Sequence, residues 1–196
     1  MESEDLVQAG LDAGLEPVVL LEAGVGVEPE LLAEVSTLGH APRVVAVFRA
    51  GDLPRGKRDV LLGLWHVSDP GNVGTLLRTA DAFGAGLALS EGCADPLGPR
   101  AVRASAGAIF RVPLVDWDAL PDRRVALVAH GGEPLCGVPL EPPLAFLLGA
   151  EREGLPNDLV AQSHKATIGL PGDAESLNVA AAGAIALYEL SRRSAG

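Results

Sequence analysis

Basic side chains are scarce in this sequence. It carries 15 Lys and Arg against 26 Asp and Glu, a formal net charge of −11. A protein that coats nucleic acid without selectivity needs the opposite balance, because it must neutralise phosphates. Bulk charge therefore argues against a nucleic-acid partner unless a local patch makes the contact. One such stretch is residues 43–58, where Arg43, Arg49, Arg55, Lys57 and Arg58 stand against Asp52 alone; a solvated linker would look the same. Cysteine is nearly absent too. Cys93 and Cys136 lie in unrelated contexts, without the Cys-x-x-Cys or Cys/His spacing of a zinc site or the density of a disulfide framework. Both thiols read as packing residues, and no metal is expected. His40, His66, His130 and His164 are scattered without ligand spacing and read as structural or surface side chains. Long apolar runs are missing: the longest, such as residues 60–67, fall far short of the roughly 18 to 20 residues that cross a bilayer. The start, Met1-Glu2-Ser3-Glu4-Asp5, has the wrong charge for a secretory signal. Cytoplasm is the expected compartment.

What is present is enough apolar material for a core: 48% of the 196 residues are hydrophobic, which suits one well-buried domain with a smaller appendage. Residues 6–13 and 29–37 read as helices and residues 18–21 and 43–48 as strands, divided by Gly and Pro. The polar, breaker-rich stretch 51–58 marks a boundary. It leaves a small α/β segment over 1–53, a linker over 54–58 and the main domain over 59–196. In the main domain, strands are expected over 60–67, 86–89, 109–112, 125–129, 144–148 and 166–170, with helices over 73–83, 99–106, 158–163 and 177–192. Val-, Leu- and Ile-rich strands alternating with helices predict a mostly parallel sheet with helices on both faces, its ligand beyond the strand C-termini.

Three stretches carry chemistry. The first, Asp69-Pro70-Gly71-Asn72-Val73-Gly74-Thr75-Leu76-Leu77-Arg78 and on to Gly84, is a tight turn into a helix. Asn72 is placed as its N-cap, Val73, Leu76, Leu77 and Ala80 as its inward stripe, and Gly84 as its C′ residue. Arg78 lies off the stripe, free to face a ligand; local physics alone equally describes Asn72 as a plain cap and Arg78 as a solvated charge. The second, Phe146-Leu147-Leu148-Gly149-Ala150-Glu151-Arg152-Glu153-Gly154, is a buried strand entering a loop whose glycines permit close backbone approach to a ligand, with Glu151 as a carboxylate just past the strand end. It is not G-x-G-x-x-G, so nothing supports a nucleotide-dependent oxidoreductase. The third, Ile168-Gly169-Leu170-Pro171 through Ser176-Leu177-Asn178-Val179, opens the last helix, where Ser176 and Asn178 either cap the helix or meet a ligand.

In order, spacing and identity these stretches together resemble the three signature motifs of the SpoU (TrmH-like) family of RNA 2′-O-ribose methyltransferases, of the SPOUT superfamily. The resemblance covers residues 59–193 and includes the middle segment Val102-Arg103-Ala104-Ser105-Ala106-Gly107-Ala108-Ile109-Phe110-Arg111-Val112-Pro113. Residues 5–50 look like part of the L30e-like RNA-binding domain that many members carry. They are short for it, as a truncated N-terminus would make them.

The resemblance implies an α/β domain with a C-terminal trefoil knot, preceded by the short L30e-like segment. It implies S-adenosylmethionine bound in the knot around Gly149, Ile168, Leu170, Leu177 and Asn178, with Arg78 as the central catalytic residue. Asn72 and Glu151 would orient the ribose, and Ser176 and Asn178 would shape the pocket wall. Members commonly read Ile-Pro-Met where this chain has Ile168-Gly169-Leu170, which leaves the path of that loop open. A guanidinium stays protonated, with a pKa above about 12, so Arg78 is expected to hold phosphate or a forming alkoxide rather than to abstract a proton. The family also implies a homodimer, which the apolar last helix fits, and an RNA substrate, ribosomal RNA ahead of transfer RNA. The rival reading is a catalytically idle RNA-binding or assembly factor on the same scaffold.

Overall fold

The structure, a computed structural model, describes residues 1–36 and 41–194; Thr37 of the expected second helix and His40 lie outside the described residues. The first part of the chain holds helix α1 (Glu4–Asp12), strands β1 (Val19–Ala23) and β2 (Gly26–Val27), helix α2 (Pro29–Val35) and strand β3 (Val44–Val47). Ser3 caps α1, its Oγ accepting from the Leu6 N–H at 3.3 Å. β1 pairs antiparallel with β3 and parallel with the two-residue β2. This unit leans on the rest of the chain through Phe48, whose ring meets Phe110 edge-on at 5.2 Å. Gly10 leaves room for that contact, since a Cβ there would stand 2.7 Å from Phe48 Cζ.

The main body contains β4 (Val60–Leu64), α3 (Pro70–Ala82), β5 (Gly86–Leu89), α4 (Pro99–Ser105), β6 (Leu114–Val115), β7 (Arg124–Leu127), β8 (Glu133–Pro134), β9 (Leu144–Leu148), α5 (Asn157–Ala161), β10 (His164–Thr167) and α6 (Val179–Ser194). Its seven strands lie in the order β6-β5-β4-β9-β7-β10-β8, and every pairing is parallel. Side chains alternate across the sheet as the strand period requires. Leu62, Leu64, Leu87, Leu144, Phe146 and Leu148 point into the larger core, shared with α3, α4 and α6. Leu61, Ala88, Ala145 and Leu147 point to a smaller one under Trp117 and Leu155. Two glycines set how closely the helices pack. A Cβ on Gly74 would overlap the Ala101 carbonyl oxygen of α4, and one on Gly183 of α6 would stand 2.5 Å from Leu76.

Several expected elements shift. The segment 109–112 is not a strand: Ala106 and Gly107 take left-handed conformations (φ 48° and 84°), and the chain turns through a 3₁₀ turn, Ala108–Phe110. Two successive left-handed residues break an extended path, so the apolar Ile109, Phe110 and Val112 are buried on a turn and the edge strand begins only at Leu114. Asp69, not Asn72, caps α3: its Oδ1 accepts from the Asn72 N–H at 2.9 Å, and Pro70 stands at the first helical position, where no N–H is needed. The last helix begins at Val179 rather than Leu177, because Asn178 caps it, accepting from the N–H groups of Ala180 (2.9 Å) and Ala181 (3.3 Å). β4 and β10 end earlier than expected, at Leu64 and Thr167. Gly84, with φ 67°, follows the C-cap of α3 as expected. Among the described residues no helix is long and apolar enough to cross a membrane.

Candidate active site and cofactor cavity

From β4 the chain steps outward through β5 and β6, then returns to lay β9 on the other side of β4 with β7, β10 and β8 beyond it. Parallel sheets with such a reversal bind ligands beyond the strand C-termini, and a cavity of about 630 Å³ opens there. Its floor is the ends of β7 and β9. Its sides are the loop after β9, the segment between β10 and α6, and the first turn of α6.

The loop after β9 is folded tightly by its glycines. A Cβ on Gly149 would overlap the backbone of Gly154 and Leu155, and Ala150 and Gly154 form a single antiparallel bridge. The close approach expected at Gly149 is thus to the chain's own backbone. The turn carries Glu151, Arg152 and Glu153 around the cavity rim. Ile168, Leu170, Glu175, Ser176, Leu177 and Asn178 line the opposite side. The Gly169–Pro171 loop follows β10 so that Ile168 and Leu170 both line the cavity while Gly169 and Pro171 are exposed.

A relay of side chains joins all three motifs. The Asn178 Nδ2 donates to Asn72 Oδ1 at 3.1 Å, and the Asn72 Nδ2 donates to Glu151 Oε1 at 2.8 Å. Because Asn178 Oδ1 is already engaged by the α6 amides, its NH₂ group is oriented to donate. Asn72 is fixed in turn by the Asp69 cap beneath it. The carboxylate of Glu151 is held at the rim by a helix it does not belong to.

Seven predicted residues line the cavity: Gly149, Glu151, Ile168, Leu170, Ser176, Leu177 and Asn178. Asn72 touches two of them. Arg78 does not line it; its exposed side chain lies further along α3. Sequence reasoning missed the end of β7, where Leu127, Val128, Ala129 and His130 complete the wall, and it missed Glu153 and Glu175. A signal existed in Gly131-Gly132, directly past a strand end. The Gly132 N–H donates to Thr167 Oγ1 at 2.9 Å, and a Cβ there would stand 2.6 Å from the Ala166 carbonyl carbon. Apolar side chains (Leu127, Leu148, Ile168, Leu177) beside the carboxylates of Glu151, Glu153 and Glu175 suit a ligand with a flat apolar portion and a cationic centre. Among the described residues no group of three His, Cys, Asp or Glu could hold a metal ion.

A sequence model of the SpoU rRNA Methylase family matches residues 59–188. The 23S rRNA (guanosine(2553)-2′-O)-methyltransferase RlmP of Bacillus subtilis is 30% identical over 204 residues, covering 97% of this chain and 78% of its own. The 23S rRNA (uridine(2479)-2′-O)-methyltransferase of Streptomyces viridochromogenes is 33% identical over 192 residues, covering 86% and 67%. The chain spans about two thirds of the length of the first curated relatives it matches. The crystal structure of the SpoU methyltransferase AviRb from Streptomyces viridochromogenes in complex with AdoMet superposes with a TM-score of 0.84 at 26% identity, covering 100% of this chain and 90% of that one.

Proposed function

This chain belongs to the SpoU rRNA Methylase family, and from that premise we propose that it is an S-adenosylmethionine-dependent methyltransferase acting on a ribose 2′-hydroxyl of RNA. The observation that carries the reading is the Asn178–Asn72–Glu151 relay, which brings the three motifs together at the mouth of one cavity. An idle RNA-binding factor on this scaffold would have no need of it.

The residues present fit the cofactor. Leu127, Leu148, Ile168 and Leu177 offer apolar walls for an adenine, and Glu151, Glu153 and Glu175 offer negative charge to an ammonium and a sulfonium. Gly149, Ile168, Leu170, Leu177 and Asn178 would hold it. When bound, S-adenosylmethionine supplies an electrophilic methyl group. The chain's own part is positioning: Glu151, fixed by Asn72, accepts a hydrogen bond from the ribose and orients its 2′-hydroxyl toward the cavity. Ser176 shapes the facing wall. Arg78, permanently charged and exposed, holds the RNA backbone or the developing alkoxide.

The finer architecture follows as part of the same proposal. Residues 1–53 are a short L30e-like substrate-binding segment, 54–58 a linker and 59–196 the methyltransferase domain, a division supported by the start of the family match at residue 59. A C-terminal trefoil knot is supported by the chain's route. β10 pairs beyond β7, yet α6 returns to pack on α3 and, through Gly183, against Leu62 and Leu148. A homodimer is supported by the outward stripe of α6, where Ala181, Ile185 and Tyr188 are exposed at helical spacing. Arg78, off its own chain's cavity, would meet RNA at that interface. Ribosomal RNA is preferred over transfer RNA on the names of the relatives, and the compartment is cytoplasm. Incubating the protein with tritiated S-adenosylmethionine and unmodified ribosomal RNA tests the reading: label enters the RNA, whereas cofactor binding with no labelled RNA would favour the idle factor.

A further inference from the structure

S-adenosylmethionine carries three charged groups: a sulfonium, an ammonium and a carboxylate. Glu151, Glu153 and Glu175 around the cavity attract the first two and repel the third. A cavity that accepts the whole zwitterion therefore needs a cation on its wall. Among the described residues that line it, Arg152 is the one arginine or lysine. It stands at the apex of the turn after β9, which is closed at its base by the Ala150–Gly154 bridge, the Gly154 N–H donating to the Ala150 carbonyl at 2.9 Å. Gly154 is left-handed there, φ 68°, and Gly149 packs on the Gly154 and Leu155 backbone. The backbone that carries Arg152 is thus fixed at the rim.

The Arg152 side chain is uncommitted. Its sequence neighbours are Glu151 and Glu153, yet among the described residues it enters no ion pair and no side-chain hydrogen bond. Glu151 is taken instead by Asn72 at 2.8 Å. Arg100, Arg111, Arg192 and Arg193, by contrast, are each held by a carboxylate of this chain, and Arg78 does not line the cavity. A guanidinium is permanently charged, and its planar fork matches a carboxylate with two parallel hydrogen bonds. His130, at the end of β7, lacks both the fork and the fixed charge. An acidic cavity without Arg152 would favour ligands with more positive charge over the zwitterion; a free guanidinium at the rim reverses that preference. Resting on the methyltransferase reading, we propose that Arg152 binds the α-carboxylate of S-adenosylmethionine and makes the cavity selective for cofactors that keep this group.

Decarboxylated S-adenosylmethionine keeps the adenosine, the sulfonium and the amine and lacks only the carboxylate, so titration calorimetry with the two ligands, in the absence of RNA, isolates that group. Wild-type protein binds S-adenosylmethionine about tenfold more tightly than the decarboxylated ligand, the scale of one hydrogen bond to a charged group at an exposed site. Arg152→Ala erases the preference: affinity for S-adenosylmethionine falls about tenfold, while affinity for the decarboxylated ligand holds or rises. S-adenosylhomocysteine, which retains the carboxylate, loses affinity in the variant as well. The melting temperature holds, because the side chain is exposed, and Arg152→Lys, with the charge but not the fork, retains part of the preference. Equal wild-type affinity for the two ligands, the same loss for both in Arg152→Ala, or a loss of RNA affinity alone, as a contact to phosphate would give, overturns the assignment and leaves the methyltransferase reading standing. Wild-type protein that shows the preference but labels no RNA is the converse outcome: the carboxylate contact holds and the methyltransferase reading fails.

Discussion

Replacing Asn72 by alanine removes both inner bonds of the relay, the 2.8 Å donation to Glu151 and the 3.1 Å acceptance from Asn178. A neutral bond contributes about 0.5–1.5 kcal/mol and one to a charged group somewhat more. Glu151 is exposed, so water recovers part of what is lost. With that recovery the net loss is about 1–2 kcal/mol, below the plain sum of the two bonds, or roughly 5- to 30-fold in kcat/KM if the relay orients the reacting ribose. The fold should hardly notice, because the cap of α3 is Asp69 rather than Asn72. Asp69→Ala, by contrast, loses about 1 kcal/mol of stability. Tritium transfer to unmodified RNA measures the first effect and thermal melting the second. In a double-mutant cycle, Asn72→Ala and Glu151→Gln together should cost less than the sum of the two, by about 0.5–1.5 kcal/mol. Full additivity, or an Asn72→Ala enzyme with wild-type turnover, would refute the relay.

Gly74→Ala pushes a methyl group into the Ala101 carbonyl and to 2.5 Å from Ala104 Cβ; urea unfolding should show a loss of about 1–3 kcal/mol. Arg78→Ala should keep wild-type affinity for S-adenosylmethionine in calorimetry, because the side chain does not line the cavity, while turnover falls at least about tenfold. Hydrogen bonds from Arg192 and Arg193 hold the Glu189 carboxyl at about 2 instead of 4.5. A carboxyl depressed in the folded state stabilises above its ordinary pKa, and that contribution fades as pH falls from 4.5 toward 2. The difference in melting temperature between wild type and Glu189→Gln should therefore narrow across that window.

The strands at the centre of the sheet were legible because they are apolar on both faces: β5 and β9 run over the expected residues, 86–89 and 144–148. Residues 109–112 have the same apolar look, but Ala106 and Gly107 turn the chain first, and periodicity cannot separate a buried strand from a buried turn in so short a run. The motif residues announced themselves by type and spacing. Their mutual geometry did not, since Asn72 lies 79 positions from Glu151 and 106 from Asn178. Nothing local separates a capping asparagine from a bridging one. The cap itself, Asp69, stands in the same motif three residues before a residue of similar chemistry. His66 reads as a structural or surface histidine, and neither its left-handed backbone nor its stack on Trp65 is visible in a string of letters.

The position of the methyl group tests the central claim most directly. Ribosomal RNA labelled by this protein from tritiated S-adenosylmethionine can be hydrolysed in alkali, which spares only the linkages 3′ to a 2′-O-methyl ribose. The label should appear in alkali-resistant dinucleotides and, after complete enzymatic digestion, in a 2′-O-methylnucleoside. Label in a base-methylated nucleoside, or no label in RNA from a protein that binds the cofactor, would contradict it.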